Sequence, residues 1–161
     1  MNWETLFKMQ RDLDHYILKQ HQLKNEQIVE KKVLALLVEI GELANETRCF
    51  KYWSVKAPSP KDVMAEEYVD GIHFILSLGL VIGIEDYHGE IEEPSEETTE
   101  LFLRVFEAIH QLNKERSKQA FNQLFYVYLQ LGKNLGFTQG DIKSAYIEKN
   151  KVNFERQNQG Y

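Results

Sequence analysis

At 161 residues and 19.0 kDa the chain has the size of a single domain, residues 1–161, long enough to bury a sizeable core. A formal charge of −6 argues against a partner nucleic-acid polymer, which needs a basic face, but leaves room for a small phosphorylated ligand held through metal ions. The lone Cys49 excludes an internal disulfide, no signal peptide is visible, and the longest apolar stretch, 72–84, is too short to span a bilayer, so a cytoplasmic protein with no membrane partner is expected.

The 3.6-residue period recurs in almost every segment and period-2 alternation is absent, which predicts an all-α helical bundle. The first helix covers about 3–19 and the second about 26–45. An aromatic and basic connection, 48–58, follows. The third helix opens with Ser59 as N-cap, Pro60 at its first position and Asp62 three after the cap. It runs to about residue 80, with Gly79 and Gly83 marking its end. After an acidic link, 85–93, a fourth helix is capped by Ser95, with Glu96 and Glu97 meeting its positive end. A fifth, about 114–135, carries Phe121, Leu124, Phe125, Tyr128 and Leu131 and stops at Gly136. Thr138 and Asp141 form a capping box for the last helix, which reaches about residue 157.

Acids occur where they should be scarce. Glu39 and Glu42 sit in the apolar run 33–44, and Glu67 and Asp70 sit in 63–74. Residues three apart share a helix face, so each pair points two carboxylates in one direction. Leu36 and Leu43, on the face of Glu39, read as core positions. Four like charges beside a core repel one another and lose hydration unless a cation neutralises them. Hard oxygen ligands suit Mg²⁺ or Mn²⁺, and Mg²⁺ commonly brings phosphates. Glu46 and Glu66, one turn away, are further candidates beside the main four. A solvated acidic face is the plain alternative.

Near the C-terminus Lys149, Asn153 and Arg156 fall at i, i+4 and i+7. One helical face then offers an ammonium, an amide and a guanidinium to phosphate oxygens, or simply carries the cations that suit that end of a helix. Trp53 can stack on a pyrimidine and His73 can reach a polar ligand atom; equally, they can be a loop anchor and a satisfied interior residue.

The motifs Glu39-Ile-Gly-Glu42 and Glu67-Tyr-Val-Asp70, some two dozen residues apart, resemble the all-α NTP pyrophosphatase superfamily that includes MazG-like enzymes. The segments 9–14, 42–53, 70–74 and 146–157 extend the likeness to the dimeric dUTPases of bacteria and their phages. The resemblance implies a four-helix core carrying the two acidic pairs and a homodimer with two active sites. It implies metal-dependent hydrolysis of dUTP, and of dUDP, to dUMP. Glu39, Glu42, Glu67 and Asp70 then hold Mg²⁺ (or Mn²⁺), with Glu42 first and Glu39 second as the acid that orients the attacking water. Lys149, Asn153 and Arg156 contact phosphates, while Gln10, Trp53 and His73 contact the nucleoside. Asp14 departs from the amide expected near its position. The rings of the fourth and fifth helices (Phe102, Phe106, Phe121, Phe125, Tyr126, Tyr128) are expected in part between subunits. Two alternatives stand beside this reading: a MazG-like pyrophosphatase for another nucleotide such as dCTP, and a non-catalytic helical interaction module.

Overall fold

Every apolar period becomes a helix, and no strand forms. The computed structural model describes residues 1–161. Its elements are α1 (Trp3–His21), α2 (Val29–Thr47), α3 (Lys61–Val81), α4 (Thr98–Glu115), α5 (Lys118–Asn134) and α6 (Gln139–Asn158). The second helix begins later than its pattern suggests because Asn25–Gln27 winds as a separate 3₁₀ turn.

Three helix starts differ from expectation, each for a physical reason. Ser59 does not cap α3. Its hydroxyl donates to the Glu46 carboxylate and its N–H to the Glu46 carbonyl, tying the end of α2 to the start of α3, and Pro60 becomes the cap. Ser95 does not cap α4, because Glu97 forms its own capping box with Glu100. The fifth helix starts at Lys118, after Arg116 turns left-handed and Ser117 accepts a hydrogen bond from the N–H of Ala120. The Thr138–Asp141 box opens α6 as expected.

The helices α2 and α3 run antiparallel: Val29 and Val33 meet Leu78 and Val81 at one end, and Ile40 approaches Gly71 midway. On α3, α1 and α6 pack beside them, while α4 and α5 pair behind. Central α3 is apolar almost all round, and 33 buried residues form one cluster. Four of the six rings expected partly between subunits, Phe102, Phe121, Phe125 and Tyr128, lie within this core instead. The apolar side chains left exposed are chiefly Leu34 and Val38 on α2, Phe50, Tyr52, Trp53 and Val55 in the loop after it, and Leu103 on α4.

One contact fixes α5 against the acidic stretch of α3. Tyr68 and Tyr128 are fully buried with rings stacked 4.5 Å apart. Each hydroxyl donates to the other residue's carbonyl, at 3.0 and 2.7 Å, so neither polar group is left unsatisfied. The approach is possible only because glycines flank it: a Cβ at Gly71 would lie 2.2 Å from the Tyr128 hydroxyl oxygen, and one at Gly132 2.4 Å from that of Tyr68. Gly132→Ala is therefore expected to lower the thermal midpoint, at a cost of about 1–3 kcal/mol from overpacking. Gly140→Ala, whose nearest neighbour would be 3.7 Å away, is the control. Equal midpoints for the two variants would show that the tyrosine pair can yield.

Candidate active site

A cavity of about 430 Å³ opens between α1, α2, α3 and α6, and its two ends differ in chemistry. At one end, the faces of α2 and α3 bring oxygens of Glu39, Glu67 and Asp70 within 4.8 Å of one another. Glu42, one turn along from Glu39, is exposed and stands outside this trio. Leu36, Ile40 and Leu43 pack fully buried beneath the α2 acids, as the sequence pattern requires.

Clustering has a cost in protonation. Burial, followed by Asp70 and Glu42, pushes the Glu39 carboxyl up to about 7. Burial also raises Glu67, helped by Asp70 and Glu42. Asp70 rises too, mainly through burial, against the pull of Lys149. Three half-buried hard oxygen donors that resist ionising together are the donor set a small dication satisfies.

Lys149 supplies positive charge here. Its Nζ lies 2.7 Å from Asp70 Oδ2 and 2.9 Å from Glu66 Oε1. Burial pulls this ammonium down, yet its hydrogen bonds to the two acids outweigh that and leave it raised. Of the tail residues expected at phosphates, Lys149, Asn153 and Arg156 all line the cavity, and Arg156 also lies 5.1 Å over the Tyr161 ring. Glu66 is thus a partner of Lys149, and Glu46 a partner of Ser59.

The other end is a hydrogen-bonded cluster. Gln10 Nε2 donates to Asp14 Oδ1 at 2.8 Å, and Gln10 Oε1 lies 2.7 Å from His73 Nδ1 and 2.8 Å from the Tyr146 hydroxyl. Ser77 donates to Asp14 Oδ2 at 2.6 Å, and the ring of Tyr146 stacks on His73 at 4.1 Å. Gln10 and His73 therefore meet, and both line the cavity. Trp53 does not join them: it is 65% exposed, packs edge-on against Tyr52 and Phe50, and does not line the cavity.

Burial, with Lys149 nearby, pulls the His73 imidazole down to about 3. An unfolded histidine titrates near ~6.5, so between those values the unfolded chain binds a proton that the folded chain refuses. Stability from a neutral His73 is therefore whole above ~6.5 and is lost as the pH falls toward 3. Melting curves from pH 7.5 to 4 are expected to fall less steeply for His73→Gln; identical slopes would show that His73 is not held neutral.

Sequence reasoning missed Lys32, Ser77 and Tyr146, and it left Asp14 out of the site. Each looks ordinary on an amphipathic helix; only the approach of α1, α2 and α3 brings Asp14, Lys32 and Ser77 to one cavity, with Tyr146 of α6 packed behind it against His73 and Gln10. The available signal was a lysine, Lys32, beside core residue Val33.

A family model described as dUTPase matches residues 2–161. No curated protein matches the chain closely enough to be reported as a relative.

Proposed function

The chain belongs to the all-α dUTPase family and is a dUTP diphosphatase, and from that premise we propose a Mg²⁺-dependent enzyme that converts dUTP to dUMP and pyrophosphate, with dUDP as a second substrate. The observation that carries the metal reading is the meeting of Glu39, Glu67 and Asp70 within 4.8 Å, with Glu39 and Asp70 lining one end of the cavity. Glu42 completes the set of acids from the solvent side, and Mn²⁺ can stand in for Mg²⁺. A dication held there would neutralise phosphate charge and make an attacking water easier to deprotonate.

The chain's own groups do the rest. Glu42 has the exposure to take a proton from the attacking water, with Glu39 as the alternative base. Lys149, Asn153 and Arg156 grip the phosphate oxygens and stabilise the charge that develops as pyrophosphate leaves. Gln10 and His73 meet the uracil ring. Trp53, remote from its own cavity, contacts a nucleoside only across an interface between two copies.

That interface is proposed to form a homodimer through the exposed apolar groups on α2 and in the loop after it, an assembly that covers Leu34, Val38 and the aromatic cluster around Trp53. Light scattering is expected to give twice the 19.0 kDa chain mass, and a single-chain mass at micromolar concentration would overturn it. The cytoplasm is the proposed location. No helix is long and apolar enough to cross a membrane.

Pyrophosphate release from a panel of deoxynucleoside triphosphates, with and without Mg²⁺, tests the whole reading. It is expected only with metal and fastest with dUTP. Preference for dCTP would indicate MazG-like selectivity, and no release from any nucleotide would indicate an interaction module.

A further inference from the structure

We propose that Lys32 and Asp14 select the base, Lys32 by donating to the C4 carbonyl oxygen of uracil and Asp14 by fixing the tautomer of His73 that accepts from N3–H. The proposal rests on the dUTP reading above and adds two residues that reading does not use.

The tautomer follows from hydrogen-bond chemistry. A carboxylate only accepts, so the Gln10 amide must turn its nitrogen toward Asp14 Oδ1, 2.8 Å away. Its oxygen then faces His73 Nδ1 and the Tyr146 hydroxyl, at 2.7 and 2.8 Å, and both of these must donate. The proton of neutral His73 is therefore on Nδ1, leaving a bare lone pair on Nε2. That Nε2 has no partner in the protein, although the residue is only 5% exposed and lines the cavity. With an amide in place of Asp14, Gln10 could turn over and the lone pair would no longer be guaranteed. Asp14 is thus a positioning residue.

Lys32 has the opposite need. It is 8% exposed, and its ammonium makes one long hydrogen bond, 3.3 Å to Asn25 Oδ1. Asp14 Oδ2, which also accepts from the Ser77 hydroxyl at 2.6 Å, is an ion-pair partner at 3.7 Å, beyond hydrogen-bond length. An ammonium has three protons to place, and burying it so thinly served is costly. The cavity that Lys32 lines is where a further acceptor fits.

Position along the cavity identifies that acceptor. Lys32 lies seven residues before Glu39 on α2, about 10 Å of helix rise from the acidic end. Ser77 lies equally far beyond Asp70 on the antiparallel α3, and His73 falls between. A nucleotide with its phosphates at the acids therefore presents its sugar next, then N3, and C4 farthest away. Uracil offers an N–H at N3 and a carbonyl at C4, matching the acceptor on His73 and the donor on Lys32. Cytosine reverses both: its N3 lone pair faces the His73 lone pair, and its exocyclic amine faces the ammonium.

The test measures kcat/KM for dUTP and for dCTP with metal-loaded wild type, Lys32→Met, Lys32→Arg and Asp14→Asn. Lys32→Met is expected to reduce the dUTP value by about 10- to 100-fold, the worth of a hydrogen bond to a charged group, and to leave dCTP nearly unchanged. Lys32→Arg restores part of the loss, and Asp14→Asn narrows the dUTP/dCTP ratio in the same direction. Methionine fills a similar volume but leaves Asp14 without its cation, so a lower melting temperature is expected for Lys32→Met and a smaller change for Lys32→Arg, and kcat/KM is compared well below both midpoints. A parallel fall for both nucleotides would place Lys32 at the shared sugar or phosphates and overturn the proposal, as would an unchanged ratio. Wild type that does not prefer dUTP would defeat the underlying reading, and the proposal with it, before any variant is compared.

Discussion

Glu39→Gln is expected to lower turnover of dUTP by ~10²–10³-fold while raising the melting temperature of the metal-free protein. Both effects have one source. Glu39 shares a space of 4.8 Å with Glu67 and Asp70, and its carboxyl is pushed up to about 7 by burial and by those neighbours. An amide keeps the shape and removes a charge that repels Asp70 and Glu67 when no cation is present. The same change removes one of the hard oxygen donors proposed to hold the dication. The sign in pH is fixed as well. A carboxyl raised in the folded state stabilises below its unfolded value, and that contribution is lost as the pH rises through about 7. The gain in melting temperature is therefore expected to be larger at pH 8 than at pH 5. Differential scanning fluorimetry in chelator, paired with a pyrophosphate-release assay in Mg²⁺, reads both effects. Wild-type turnover in the variant would remove Glu39 from the metal-binding set, and a lower melting temperature at pH 8 would show that the cluster is not strained by its own charge.

Those acids could be read from the sequence because each is an exception to a strong pattern. Leu36, Ile40 and Leu43 fix the buried face of α2, and a glutamate beside that face at i, i+3 spacing calls for an explanation without any knowledge of tertiary contacts. The Thr138–Asp141 box was legible for a similar reason, since both partners lie within one turn. Ser59 was not, because the group that captures its hydroxyl, Glu46, is 13 residues away on another helix. Lys32 and Asp14 escaped for the same cause. Their burial arises where α1, α2 and α3 converge, and a lysine or aspartate on an amphipathic helix normally points to water. Some of the rings of α4 and α5 are expected between subunits, yet Phe102, Phe121, Phe125 and Tyr128 are buried within the chain, Tyr128 against α3 and Phe121 against α1. Composition marks such rings as needing cover; it does not say which surface provides it.

Lys149→Met is expected to separate two roles of one ammonium. Without nucleotide, Nζ sits 2.7 Å from Asp70 and 2.9 Å from Glu66, acting as an internal counter-cation for the acids. Its side chain is 11% exposed, so the pair is less screened than an ion pair in open solvent. A dication held by Asp70 would compete with that bond, and under the proposed function Lys149, on the same face of α6 as Asn153 and Arg156, would then be free for the phosphates. Methionine cannot compete for Asp70. Mn²⁺ titrated into nucleotide-free protein is therefore expected to bind about tenfold more tightly to the variant, equivalent to ~1.4 kcal/mol. Turnover at saturating metal is expected to drop by ~10²-fold, because the variant lacks the charge proposed to grip the departing pyrophosphate. The two effects have opposite directions, which no general loss of folding can produce. Lys149→Arg, which keeps the charge, is expected to retain weak metal binding and much of the turnover. Weaker Mn²⁺ binding by Lys149→Met would mean that the lysine organises the acids for the metal instead of opposing it. Undiminished turnover would mean that the phosphates are held by Asn153 and Arg156 alone.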